Sequence, residues 1–267
     1  MLGWSIISNL ISVMLIYFYL PPDDSGLTSL VPQIVFFGVF NLMALLVASG
    51  RLFDAIIDPL VAYFSDKSTH PKGRRIPFMK IGFIPAVVCC LLIFMPLEHQ
   101  ESMANVWWLF FVQILFYFFV TLYIIPYNAL LPELANTSEE KVSLSTIQSF
   151  AFVIGMIISS QTPAFADLLE KVLEISSRQH ALQLAIGILS AIAGMCMLIP
   201  VLAIDEKKYC KHSPVSIPIL PALRQAFANV SFRFFLVADF TYYISIAIIT
   251  SGLLYYCLLY TSDAADE

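Results

Sequence analysis

The stretch RLFDAIIDPLVAYFSD, residues 51–66, closes an apolar run that begins near residue 33. An apolar run of this length reads as a membrane span. Yet this one carries Arg51, Asp54 and Asp58. Offsets of three and four place those side chains on one narrow helical face. At 1.5 Å rise per residue, Asp54 is expected roughly 16–18 Å from the following loop and Asp58 about 6 Å nearer to it. A charge at such depth costs about 2.5–3.5 kcal/mol on insertion scales. It persists where it faces a cavity, pairs with another charge or binds an ion. Two carboxylates one turn apart repel each other, and a bound Na⁺ or H⁺, together with Arg51, relieves the repulsion. Pro59 adds a further oxygen, because its missing N–H frees the carbonyl of Ala55 one turn away. Such oxygens suit a hard monovalent cation. Asp54 and Asp58 are therefore the candidate cation (Na⁺) ligands, with Arg51 as their basic partner. The competing reading is a salt-bridge cluster that only ties helices together. An aspartyl-protease dyad is disfavoured, because its acids face each other across two elements.

The remainder of the chain is of the same kind. Of 267 residues, 59% are hydrophobic and 12% charged, with mean hydropathy +0.83. Soluble domains run nearer half apolar and a quarter charged, which excludes a soluble enzyme. Seven apolar runs cover residues 2–20, 33–64, 77–97, 107–131, 143–166, 181–204 and 234–256. The fold class is an all-α membrane protein. The first run lacks the basic flank and cleavage site of a signal peptide and is read as a true span. A net charge of −5 makes no case for nucleic acid. Cys89, Cys90, Cys196, Cys210 and Cys257 show no spacing for a disulfide framework or a zinc site and are read as free thiols. No HExxH or GxSxG motif supports an intramembrane enzyme.

Basic residues set the expected orientation. Lys67, Lys72, Arg74, Arg75, Lys80, Lys141, Lys207, Lys208, Lys211, Arg224 and Arg233 fall at one set of loops, against Lys171 and Arg178 at the other. This bias puts the N-terminus, loop 65–76 and connection 205–233 in the cytoplasm. Trp107 and Trp108 then open the fourth run at the outer interface. Six spans, a long connection and a seventh span suggest a two-bundle transporter. The expected organisation is a six-span bundle over 1–204, a connection over 205–233 and the first span of a truncated second bundle over 234–256. The tail 257–267 reads like a translated sequencing adapter, to be left out of the fold.

RLFDAIIDPLVAYFSD, then KGRRIP at 72–77 and IPYNALLPEL at 125–134, resemble the glycoside–pentoside–hexuronide:cation symporters. These are melibiose-carrier-like members of the major facilitator superfamily, which also include sodium-dependent lysolipid transporters. The resemblance covers roughly 1–256, about the N-terminal half of a member. It implies a cation site at Asp54 and Asp58 with Arg51, no cofactor beyond the coupling ion, and a second bundle required for activity. Ile124 stands where melibiose carriers place a sugar-binding acid. Ser8, Asn9 and Leu10 replace an acid of the first span, and Gln148 falls near an arginine of many relatives. The galactoside pocket is therefore not carried over.

Two further groups are singled out. Asp66 ends the second span and Gly73, Arg74 and Arg75 precede the third, so carboxylate–guanidinium pairs can form there. In this superfamily such a loop resembles a cytoplasmic gate, with Glu133 as second partner and partly exposed pairs of modest strength. Gln113, Tyr117, Thr121 and Asn128 share an arc of about 80° in the fourth span, and Ser5, Ser8, Asn9 and Ser12 share a face of the first. Both stripes fit interhelical packing or a cavity wall. On the second reading, Asn128 joins the cation site, while Asn9, Tyr117, Thr121, Tyr127 and Gln148 contact solute. The expected function is cation-coupled symport of a small solute, such as a sugar or glycoside, across a bacterial inner membrane. A lysolipid-type or uncoupled carrier and a non-transporting structural subunit are the alternatives.

Overall fold

The computed structural model describes residues 1–22, 27–36, 40–71, 73–135, 137–175, 177–209 and 219–245. The chain forms two compact units, Met1–Pro214 and Val215–Glu267. In the first unit, span one consists of α1 (Leu2–Asn9), a π-helical turn (Leu10–Met14) and α2 (Leu15–Tyr19). A pair of two-residue strands, β1 (Val35–Phe36) and β2 (Phe40–Asn41), precedes the long helices. These are α3 (Leu42–Lys67), α4 (Ile76–Ile93), α5 (Met103–Leu134), α6 (Ser138–Ser160), α7 (Thr162–Val172) and α8 (Arg178–Ala203). The short α9 (Glu206–Tyr209) follows. Five segments, Leu2–Tyr19, α4, α5, α6 and α8, are long and apolar enough to cross a membrane. The 26 residues of α3 are also long enough to cross, but its charges set it apart in composition. The chain is an all-α, multi-pass membrane protein.

Two expected boundaries move. The second run begins as a helix only at Leu42, because Val35 and Asn41 pair across the strands. The Asn41 side chain then accepts from the Met43 N–H at 2.9 Å, capping α3. The fifth run breaks at Gln161, and α7 starts afresh with Pro163 in its first turn. At its other end α6 opens on a reciprocal capping box between Thr137 and Glu140. In the second unit, α10 (Ile219–Ala228) and a helix over 230–245 occupy part of the expected connection and seventh span. Residues 246–256 of that span, the 257–267 tail, Lys72, Lys211, Cys210 and Cys257 lie outside the described residues.

Within the first unit α4 packs along α5 and α8, α3 along α5, and α1 between α6 and α8. Tyr19, Phe18, Phe94, Phe116 and Tyr123 are fully buried between them. The free carbonyls that end α4 are an obligatory cost of stopping a helix in apolar surroundings. Three other segments meet it: Trp108 donates to Leu92 O at 3.1 Å, Tyr19 to Ile93 O at 2.5 Å and Gln183 to Phe94 O at 2.8 Å. Leu52, Ile56 and Phe64 of α3 are exposed, while Arg51, Asp54 and Asp58 line a cavity.

Close helix contact depends on small residues. A Cβ on Gly82 of α4 would lie 2.7 Å from Phe119 O of α5, and one on Gly155 of α6 would lie 2.8 Å from Leu2 O of α1. Backbone cannot swing aside as a side-chain tip can. Gly82→Leu is therefore expected to cost about 1–3 kcal/mol through overpacking and to lower the melting temperature of the detergent-solubilised chain. Gly187, with nothing within 4 Å of its added Cβ, is the control. Gly187→Ala should match or exceed the parent, because alanine favours helix by up to about 1 kcal/mol.

Candidate functional site

Asp54 and Asp58 lie mid-helix on α3, half-buried. They face Thr121 of α5, a fully buried threonine. The Thr121 hydroxyl stands 2.8 Å from Asp54 Oδ1 and 3.1 Å from Asp58 Oδ1. One hydroxyl proton thus serves two carboxylates, and it can satisfy only one at a time. Three hard oxygens converge there, the kind of donor that a small cation takes. The cluster opens on a cavity of about 330 Å³ walled by α1, α3, α5 and α6. Ser8, Asn9 and Ser12 line its α1 side, where the π turn begins. Such turns often mark functional sites. Phe116, Val120, Ile124 and Ile125 give the α5 wall an apolar stretch.

The expected basic partner does not pair with the acids. Arg51 donates to Ser12 Oγ at 3.1 Å, and its guanidinium carbon sits 5.5 Å from the Tyr117 ring centroid. Among the described residues it forms no ion pair. Thr121 draws the carboxylates toward α5, while Ser12 holds Arg51 toward α1. Asn128 lines the same cavity, but it lies about 10 Å along α5 from Thr121, and its oxygen accepts from Gln148 at 3.1 Å. Asn128 thus lines the cavity away from Thr121, and Gln148 is its hydrogen-bond partner there. Asn9 and Tyr117 line the cavity as expected, whereas Thr121 sits at the acids rather than on the solute wall. Tyr127 does not line it. Its ring stacks on Tyr123 at 5.9 Å, and its hydroxyl lies 3.2 Å from the Met1 amine.

Asp66, Gly73, Arg74, Arg75 and Glu133 do come together. Arg75 pairs with Asp66 at 3.1 Å and Glu133 at 2.9 Å, and Arg74 with Glu133 at 2.7 Å. Arg75 also donates to the carbonyl of Ala129. The expectation of partly exposed pairs fails for the arginines, which are 8% and 6% exposed because they reach under α5. Sequence reading missed Glu206 of α9, which is 1% exposed. Its carboxylate accepts from the backbone N–H groups of Arg74 at 2.9 Å, Arg75 at 2.9 Å and Ile76 at 3.2 Å. It caps the N-terminus of α4 from 130 residues away, where the local N-cap Arg75 offers no side-chain cap. Gly73, at φ +115°, permits the approach, since a Cβ there would strike Glu206.

Comparison with known proteins agrees with this architecture. The chain is 30% identical over 194 residues to the sodium-dependent lysophosphatidylcholine symporter 1 of Xenopus tropicalis, covering 62% of this chain and 37% of that protein. It is 35% identical over 116 residues to the uncharacterized symporter sll1374 of Synechocystis, covering 42% and 21%. To the uncharacterized symporter YnaJ of Bacillus subtilis it is 27% identical over 192 residues, covering 71% and 37%. The matched part thus spans little more than a third of these relatives at most. Residues 1–267 match the family described as MFS/sugar transport protein, and the chain belongs to that family of transporters.

Proposed function

We propose that this chain is the cation-binding bundle of a two-bundle symporter that moves a small solute by alternating access, driven by Na⁺ or H⁺. The observation that carries the reading is the single Thr121 hydroxyl shared by Asp54 and Asp58 at 2.8 and 3.1 Å. Two carboxyl groups that share one hydroxyl at membrane depth offer oxygens to a cation, and the adjoining cavity gives it a route. The 330 Å³ cavity beside the two aspartates is the place that this reading gives the solute. A sugar or glycoside is the solute that the family description favours. The apolar wall of Val120, Ile124 and Ile125 also favours an amphiphile, as the name of the Xenopus relative does. On this proposal the membrane is a bacterial inner membrane and the N-terminus and the Arg74–Arg75 loop face the cytoplasm, a sidedness supported by the excess of Lys and Arg on one set of loops. The cluster around those arginines is the cytoplasmic gate. The second bundle is needed for transport.

Asp54→Asn and Asp58→Asn in the complete carrier are expected to abolish ion-driven uptake in proteoliposomes. Thr121→Val should weaken Na⁺ activation about tenfold or more, the value of a hydrogen bond to a charged group, and Thr121→Ser should restore it. Uptake that keeps its full Na⁺ and pH response with both aspartates replaced removes the assignment.

At the gate, removing one partner of a buried charge cluster costs about 3–5 kcal/mol. Glu206→Ala and Glu133→Ala are each expected to open the cytoplasmic side. The readout is maleimide labelling of a cysteine introduced at Ala129 in a background free of native cysteines. It should accelerate about tenfold or more, and unchanged labelling in both variants would rule out the latch.

A further inference from the structure

In the second unit α10 (Ile219–Ala228) stops at Asn229, and the helix over 230–245 starts on the next residue. Asn229 serves both ends. Its N–H donates to Ala226 O at 3.1 Å, its Oδ1 accepts from the Ser231 N–H at 3.0 Å, and its O accepts from the Arg233 N–H at 3.2 Å. Residues five apart on an unbroken helix point about 140° away from each other. Yet the Phe227 and Phe232 rings meet edge-to-face at 6.0 Å. The chain therefore turns at Asn229, and α10 leaves the line of the helix that follows. That following helix is apolar, with Phe234, Phe235, Val237 and Phe240 exposed, and it opens the seventh apolar run.

The sequence of α10 is one-sided. Positions 219, 220, 223 and 227, which are Ile, Leu, Leu and Phe, fall within an arc of about 100°, with Arg224 and Gln225 outside it. Phe227 is 54% exposed, so part of that apolar side is open. The charge around it has one sign. Between Glu206 and Asp239 the sequence holds Lys207, Lys208, Lys211, Arg224 and Arg233, and no acid. Arg224 and Arg233 are exposed, and neither forms an ion pair among the described residues. We propose that α10 lies along the membrane surface on the side of the basic loops, its apolar side among acyl chains, with Arg224 and Arg233 holding anionic phospholipid headgroups. Such a one-sided helix gains from apolar burial and from anionic lipid together. A guanidinium fork matches phosphate oxygens, while its stem stays in the apolar layer. Each basic side chain at an anionic surface strengthens contact about fivefold.

The test uses the complete carrier, free of native cysteines, in nanodiscs of mixed phosphatidylcholine and phosphatidylglycerol. Leu223→Cys and Gln225→Cys each carry a bimane label, and a doxyl spin label near the headgroup sits on one lipid or the other. The label at 223 should be quenched by doxyl lipid and shielded from aqueous iodide, and the label at 225 should show the reverse. Doxyl-phosphatidylglycerol should quench the 223 label with about fivefold or higher preference over doxyl-phosphatidylcholine. Arg224→Gln combined with Arg233→Gln should remove most of that preference. Arg224→Lys combined with Arg233→Lys should keep it, which guards against a folding defect. A 223 label open to iodide, or quenched by neither lipid, means that α10 stands in water or packs on protein, and it overturns the proposal. Equal quenching by the two lipids, or a double Gln variant with undiminished preference, overturns it as well. None of these readouts depends on Asp54 or Asp58, so the symport reading stands or falls separately.

Discussion

Two like charges one helical turn apart, inside a bundle whose outer surface is made for lipid, are the constraint around which this molecule is arranged. Asp54 and Asp58 lie half-buried one turn apart, and oxygen donors and a cavity meet them at one place. Thr121 supplies the hydroxyl from α5. The cavity is opened on the α1 side by the small polar side chains of Ser8, Asn9 and Ser12. Arg51, the basic group that lines the cavity, is turned aside to Ser12 and Tyr117. Had Arg51 closed on the carboxylates, a permanent salt bridge would have filled the role proposed for the coupling ion. Its displacement leaves that role open.

The same two helices carry both charge clusters. On α3, Asp58 and Asp66 are eight residues apart, about 12 Å. On α5, Thr121 and Glu133 are twelve residues apart, about 18 Å. Thr121 ties α5 to α3 at one level, and Arg75 ties them at another through Asp66, Glu133 and the carbonyl of Ala129. The proposed cation site and the proposed gate therefore share one pair of elements, α3 and α5.

Much of this was legible because the signals are local. Offsets of three and four within one apolar run put Arg51, Asp54 and Asp58 on a common face, and Asp66 with Arg74 and Arg75 announced a charge cluster at a span end. What the sequence could not give were choices made across helices. Arg51 could turn to Asp54 or to Ser12, and only the position of α1 decides between them. Asn128 and Tyr127 are adjacent in sequence, so 100° of helical rotation sends one to the cavity and the other to Tyr123. The strand pair before α3 hid in an unbroken apolar run, because apolar content without periodicity does not tell strand from helix.

Glu206 was the least visible residue of all, and its placement shows why. In sequence it is one acid in a charged segment that follows α8, with nothing to separate it from a solvated surface. Its value comes from the end of another helix. The first N–H groups of α4 point away from the bundle with no local side chain to accept from them, and they carry the positive end of the helix dipole. Two buried guanidinium groups next to them raise the local positive charge further. A carboxylate brought in from the segment after α8 answers all three N–H groups at once, and Gly73, with no Cβ, lets it reach them. The cap of α4 is therefore also a fastening between the loop that carries Gly73, Arg74 and Arg75 and the segment after α8.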